Sequence, residues 1–293
     1  MSSWDFWVLT VLAVIFASLL VSYWKQISYS IICAVACVLV FILTVATDPG
    51  MIYPYELNFY IGFMPTDLVE PEYVYTVLTS MYAHDSFGHL FFNMLFLVFL
   101  GTMFEQRIGP RPFIVLYLLS GLIGTLAFAV SEYGNMVVGV GASGAISGVL
   151  GGFARLFPRE RISVMMMFVP LPPMPVWVFV IGFAALQVLF MSGGNIAWQA
   201  HLGGLAGGIL IVPFVVRAFG TKRTKRVVSA HTLKRLANTP ELRDIYSRIE
   251  KEEMPDVRSA WISEFLAKTR CPHCGSKVKM RRDGLVCDKG HLL

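Results

Sequence analysis

The sequence predicts an all-α polytopic membrane protein that ends in a small soluble, zinc-ribbon-like module. Of 293 residues, 56% are hydrophobic and only 15% are charged, whereas soluble domains carry roughly a quarter charged residues. Seven windows are apolar over about the ~20 residues that cross a ~30 Å hydrocarbon core. After Arg217 the composition changes abruptly to TKRTKR and then to a mixed-charge tail holding Cys271, Cys274 and Cys287. A soluble globular protein is excluded.

The spans fall at approximately 6–24, 30–46, 87–104, 112–130, 142–157, 174–191 and 201–217. The first is read as a helix and not a cleaved signal, because it lacks a basic leader, carries Asp5 and shows no small-residue cleavage site. In the second, Cys33 and Cys37 lie four apart among apolar neighbours, where small polarizable side chains pack well. The segment 47–86 is rich in Pro, Gly, Tyr and acidic residues and has no Lys or Arg. Loops of that length are uncommon unless functional, and its aromatic residues suit a bilayer interface. RIGPR at 107–111 is a short turn between antiparallel neighbours. PRER at 158–161 follows the fifth span, and LPPMP at 171–175 interrupts helix before the sixth, since Pro lacks the donor and clashes with the preceding turn.

Charge sets the expected orientation. Lys25, Arg107, Arg111, Arg155, Arg159, Arg161 and Arg217 all fall on one side of the seven-span arrangement, and none falls on the other. Basic residues in short loops mark the cytoplasmic face, so the N-terminus is expected outside and the C-terminus inside, in a cell membrane. The third, fifth and seventh spans then run inward. His89, Asn93, Ser143 and His201 each lie near the start of one of them, at one outer depth. Ionisable and polar residues inside a membrane mark functional sites by default.

These residue types can form a nucleophilic centre. A serine hydroxyl needs a neighbouring base to take its proton, and neutral imidazole can do so near neutral pH. Gly204 and Gly208 follow His201 as a GxxxG face, which permits close backbone approach and would bring His201 to Ser143. No acid lies at that depth, so the centre is expected to be a dyad. Acyl transfer also needs donors aimed at the developing oxyanion. His89 and Asn93 share a helical face, and the Ser143 backbone N–H is a further donor.

The elements GASG at 141–144, AHLGGLAGG at 200–208, HLFFN at 89–93 with His84 upstream, and EQRIG at 105–109 together resemble the rhomboid intramembrane serine proteases. The resemblance covers roughly residues 30–217. It implies a six-helix catalytic core with Ser143 as nucleophile, His201 as general base and an oxyanion hole of Asn93, His89 and Ser143. It also implies transmembrane protein substrates cleaved near their outer ends, with no cofactor for catalysis. Glu105 and Arg107 look like the family's structural polar pair. The pattern departs in two places. Tyr75 and Thr76 stand near where a Trp-Arg pair is often found, and Ser147 stands where some members carry a tyrosine stacked on the catalytic histidine.

The resulting organisation is an extra N-terminal transmembrane helix (1–29), the six-helix core (30–217), a cytoplasmic helical linker (218–267) and a zinc-ribbon-like domain (268–293). In the last, Cys271-x2-Cys274, twelve intervening residues and Cys287-x3-His291 suit a closed tetrahedral structural zinc site. A reducing cytoplasm favours metal over disulfide. A cytoplasmic protein partner is expected for this module, and nucleic acid is not, because acids interleave its bases. The basic cluster at 222–226 is placed to meet anionic lipid or to act as a stop-transfer flank. Two other classes compete with the protease: an inactive relative that binds membrane-protein clients, and a transporter. The transporter predicts an internal repeat, and none is evident.

Overall fold

The computed structural model describes residues 3–48, 56–163, 165–166, 169–170, 172–189, 197–219, 230–252, 255–281 and 284–291. Tyr53, Tyr55, the basic cluster at 222–226 and residues 190–196 lie outside them. The chain forms two compact units, Met1–Thr221 and Lys222–Leu293.

The first unit contains seven main helices: α1 Ser3–Lys25, α2 Tyr29–Ala46, α3 Phe87–Ile108, α4 Pro110–Ser131, α5 Ser143–Leu156, α6 Val176–Leu189 and α7 Trp198–Phe219. All seven predicted spans are present as helices. Five are long and apolar enough to cross a membrane, whereas α5 and α6 have 14 residues each. Exposed Leu, Phe and Val side chains cover the outer faces of α1, α2 and α6, as lipid-facing helices require.

Local chemistry sets the ends of these helices. Ser86 caps α3 by accepting from the His89 amide at 3.2 Å. The first residues of α2 are capped from a distance: the buried Glu105 carboxylate accepts from the Ser28 hydroxyl (2.6 Å), the Tyr29 amide (2.6 Å), and the Ser30 amide (3.0 Å) and hydroxyl (2.7 Å). A carboxylate there satisfies orphan donors and meets the positive end of the helix dipole. Arg107 instead pairs with Glu160, so Glu105 and Arg107 serve two separate contacts. Within α3 the helix widens to a π-turn over Leu97–Gly101, a form frequent at functional sites.

The segment between α2 and α3 has structure of its own, in short helical turns tied by side chains. Asp67 accepts from the Met64 amide (2.9 Å) and the Thr76 hydroxyl (2.8 Å), and the Tyr75 hydroxyl donates to the Tyr60 carbonyl (2.9 Å). Tyr75 and Thr76 thus anchor this segment. It also joins the chain before α5 through a bridge between Phe63 and Gly139. Trp4 of α1 stacks on Tyr60 with centroids 4.8 Å apart. The connection between α5 and α6 pairs Arg161–Ile162 with Met174–Pro175 antiparallel, so the Pro-rich stretch is a short hairpin arm.

The core packing of α5 against α7 depends on glycine. A methyl group on Gly204 would lie 2.0 Å from the Gly144 carbonyl oxygen, and one on Gly208 would lie 1.9 Å from that of Gly148. Only backbones without Cβ atoms approach that closely, and here they exploit the small-residue face.

The second unit comprises α8 Ala230–Leu236, α9 Pro240–Lys251, α10 Pro255–Lys268 and an antiparallel pair, β1 Val278–Arg281 and β2 Gly284–Cys287. Thr239 caps α9, with Pro240 at its first position, where the missing N–H costs nothing. Leu242, Ile245 and Ile249 of α9 and Phe265 of α10 share one core with Val278, Leu285, Cys271 and Cys287.

Candidate active site

Ser143 is the first residue of α5, so its amide is among the orphan donors of a helix N-terminus. The preceding Gly141 has φ +121° and donates its amide to the Ser80 carbonyl at 2.8 Å. His201 lies one turn into α7. Through the glycine contacts its Nε2 comes 2.7 Å from Ser143 Oγ. Both residues are half-buried.

His89 and Asn93 project from the first turns of α3. Asn93 is buried, and its Nδ2 donates to the His89 carbonyl at 3.0 Å, leaving a second amide hydrogen. His89 Nδ1 lies 2.8 Å from Asp85 Oδ1, so Nδ1 carries a proton. A Cβ added to Gly141 would stand 2.6 Å from His89 Nε2 and 3.7 Å from Ser143 Oγ. Glycine at 141 therefore lets the His89 ring pack directly against the backbone beside Ser143. His84 packs edge-on to His89, with ring centroids 5.1 Å apart. Burial first, then the neighbouring His89, pushes His84 down to about 3, so it is neutral. A cavity of about 420 Å³, counting its open mouth, adjoins Ser143 and is lined by Phe63, Met81, Thr125, Phe128 and Ala200 among others.

Three contacts were not foreseen from the sequence. Gln187 of α6 brings Oε1 to 2.8 Å from His201 Nδ1. Phe183, one turn earlier, flanks the same ring at 6.2 Å and 36°. Asp85 meets His89, not His201. Ser147 bonds back to the Ser143 carbonyl at 2.7 Å, as serines in helices often do, and takes no part in holding the imidazole. The available signal for Gln187 was a lone carboxamide in an otherwise apolar span.

In the second unit, Cys271, Cys274, Cys287 and His291 place their ligand atoms within 4.8 Å of one another. The separations are 3.6 Å for Cys274 Sγ to Cys287 Sγ, 3.4 Å for Cys287 Sγ to His291 Nδ1 and 3.8 Å for Cys271 Sγ to His291 Nδ1. Ligands tetrahedral about zinc at ~2.3 Å (S) and ~2.0–2.1 Å (N) stand about 3.6–3.8 Å apart, so the donor set fits that ion. Burial pushes the Cys287 thiol up, but hydrogen bonds from Ser276, His291 and Cys274 outweigh it and bring it down to about 6. His273 is not one of the four.

A family profile described as "Rhomboid domain" matches residues 71–218. The chain is 31% identical over 172 residues to "Rhomboid protein 1, mitochondrial" of Saccharomyces cerevisiae, covering 56% of this chain and 49% of that one. It is 31% identical over 172 residues to "Rhomboid protease GluP" of Bacillus subtilis, covering 55% and 30%. It is also similar to "Inactive RHOMBOID-like protein 8" of Arabidopsis thaliana, 37% over 84 residues, covering 29% and 23%. The chain spans about half the length of the first curated relatives it matches.

Proposed function

The chain belongs to the rhomboid family of membrane proteins, and from that premise we propose that it is an intramembrane serine endopeptidase acting on transmembrane proteins. The observation that carries this reading is the 2.7 Å contact between Ser143 Oγ and His201 Nε2. In the reaction, His201 Nε2 takes the hydroxyl proton as Ser143 Oγ bonds to the scissile carbonyl carbon. The proton then passes to the leaving amine as the C–N bond breaks, and water releases the acyl group by the same base.

The oxyanion of each tetrahedral intermediate is met by the Ser143 amide and the remaining Asn93 amide hydrogen, donors in every protonation state. Because Nδ1 of His89 is engaged by Asp85, its Nε2 donates only when the ring carries both protons. The basic loops on one side support a C-terminus in the cytoplasm and a centre opening to the opposite face.

In the second unit, Cys271, Cys274, Cys287 and His291 hold a structural zinc with no open position. The ion supplies folding free energy and no catalysis, and the unit is suited to a cytoplasmic protein partner. A relative described as inactive makes a client-binding scaffold the second reading, against which the intact Ser143–His201 contact stands. The deciding experiment reconstitutes wild type, Ser143→Ala and His201→Ala in vesicles with a synthetic transmembrane peptide carrying a fluorophore–quencher pair. Cleavage by wild type alone is expected. Undiminished cleavage by either alanine variant would remove the dyad.

A further inference from the structure

We infer that Gln187 is a positioning residue that selects the working tautomer of His201, an inference that rests on the serine-protease reading above. Gln187 lies in α6, whose sequence VWVFVIGFAALQVL offers no other side-chain carbonyl or carboxylate. A carboxamide is costly in such a helix unless it is hydrogen-bonded, yet Gln187 is 9% exposed. Its Oε1 lies 2.8 Å from His201 Nδ1. A carbonyl oxygen only accepts, so the ring proton sits on Nδ1. The Nε2 lone pair is thereby left facing Ser143 Oγ at 2.7 Å. That is the tautomer a general base needs.

The surroundings leave this role to α6. The nearby carboxylate, Asp85, is taken by His89, and Ser147 is turned to a backbone carbonyl. Phe183 sits four residues before Gln187, on the same face of α6, and packs its ring 6.2 Å from that of His201. One contact sets the plane of the imidazole and the other sets its proton. When His201 accepts the serine proton, the Nδ1–H becomes a charged donor and strengthens its bond to the amide. No buried carboxylate is required, which avoids the desolvation cost of a second ion.

The test uses the full chain in vesicles with the fluorogenic transmembrane peptide, comparing wild type, Gln187→Leu, Gln187→Glu and Ser143→Ala. Asp85 and His89, the charged and titratable neighbours of the centre, stay unchanged throughout. Gln187→Leu keeps the volume and removes the acceptor. It should lower kcat about tenfold to a hundredfold, the worth of one well-placed hydrogen bond in the transition state, and leave KM within about twofold. Ring 15N shifts of labelled histidine, assigned with His201→Ala, should show that the Nδ1–H form of His201 is no longer dominant.

Gln187→Glu also accepts from Nδ1 and should recover most of the lost rate. Its charge stabilises the imidazolium, so the acid limb of kcat/KM should move to higher pH. Wild-type kcat and tautomer in Gln187→Leu would overturn the inference, as would an unshifted acid limb in Gln187→Glu should the leucine variant fail to fold. Cleavage by Ser143→Ala would instead overturn the protease reading.

Discussion

Substituting Gly204 by alanine should open the Ser143–His201 contact without touching either residue. The new methyl would sit 2.0 Å from the Gly144 carbonyl oxygen and 2.9 Å from its carbon. Both are backbone atoms, so no side chain can rotate away. Restoring even 3.0 Å requires α5 and α7 to part by about 1 Å at that level, the usual response to overpacking. Gly204 lies one turn from His201 and Gly144 directly follows Ser143, so most of the displacement reaches the reactive pair. A 2.7 Å contact lengthened by that amount passes beyond hydrogen-bond range. A misplacement of about 1 Å costs on the order of 100-fold in rate, with a stability loss of about 1–3 kcal/mol. The assay is kcat for the fluorogenic peptide in vesicles, with thermal unfolding to show that the bundle persists. Gly182→Ala, where an added Cβ meets nothing within 4 Å, serves as the control and should behave as wild type. A folded Gly204→Ala protein cleaving within twofold of wild type would refute the claim that glycine contact sets the catalytic distance.

Glu105→Ala should destabilise the first unit by several kcal/mol, because it strands donors of residues 28–30 that the carboxylate now satisfies; thermal unfolding in detergent checks this, and a loss under about 1 kcal/mol would contradict the capping role. His84 is held near 3 against an ordinary 6.5, so between those values the unfolded chain binds a proton that the folded chain does not. Its contribution is complete above pH 6.5 and declines by up to about 1.4 kcal/mol per unit as pH falls toward 3. His84→Gln should flatten that acid slope, and an unchanged slope would show that the proton is bound elsewhere. Elemental analysis of the full chain should find about one zinc, and Cys287→Ser should abolish it along with hydrogen-exchange protection over 230–291. Protection that survives without metal would remove the structural zinc.

The spans, the polar residues His89, Asn93, Ser143 and His201 and the glycines beside them were legible in the sequence because each follows from a one-dimensional quantity. Length and hydropathy define a membrane helix, and basic residues orient its loops. Spacing alone also assembled Cys271, Cys274, Cys287 and His291 as a ligand set. The partners of Glu105 and Arg107 were less accessible, since Ser28–Ser30 and Glu160 are distant in the chain and carry no shared period. The helices at 240–268 read as a linker, yet Leu242, Ile245, Ile249 and Phe265 share a core with the cysteine-bearing ribbon. Amphipathic spacing identifies a buried face without saying what buries it.

The sharpest division between the two sources of information falls at His201. Its side-chain type and its glycine-lined route to Ser143 are properties of local sequence, where residue identity and helical spacing suffice. What stands on the far side of its ring is not. Apart from Gln187, helix α6 is apolar around its circumference, so no hydrophobic periodicity tells which face turns inward. Only the packing of α6 against α7 decided that Gln187 and Phe183 meet the imidazole. The rotation of one helix about its own axis is a tertiary quantity, and the proton on Nδ1 depends on it.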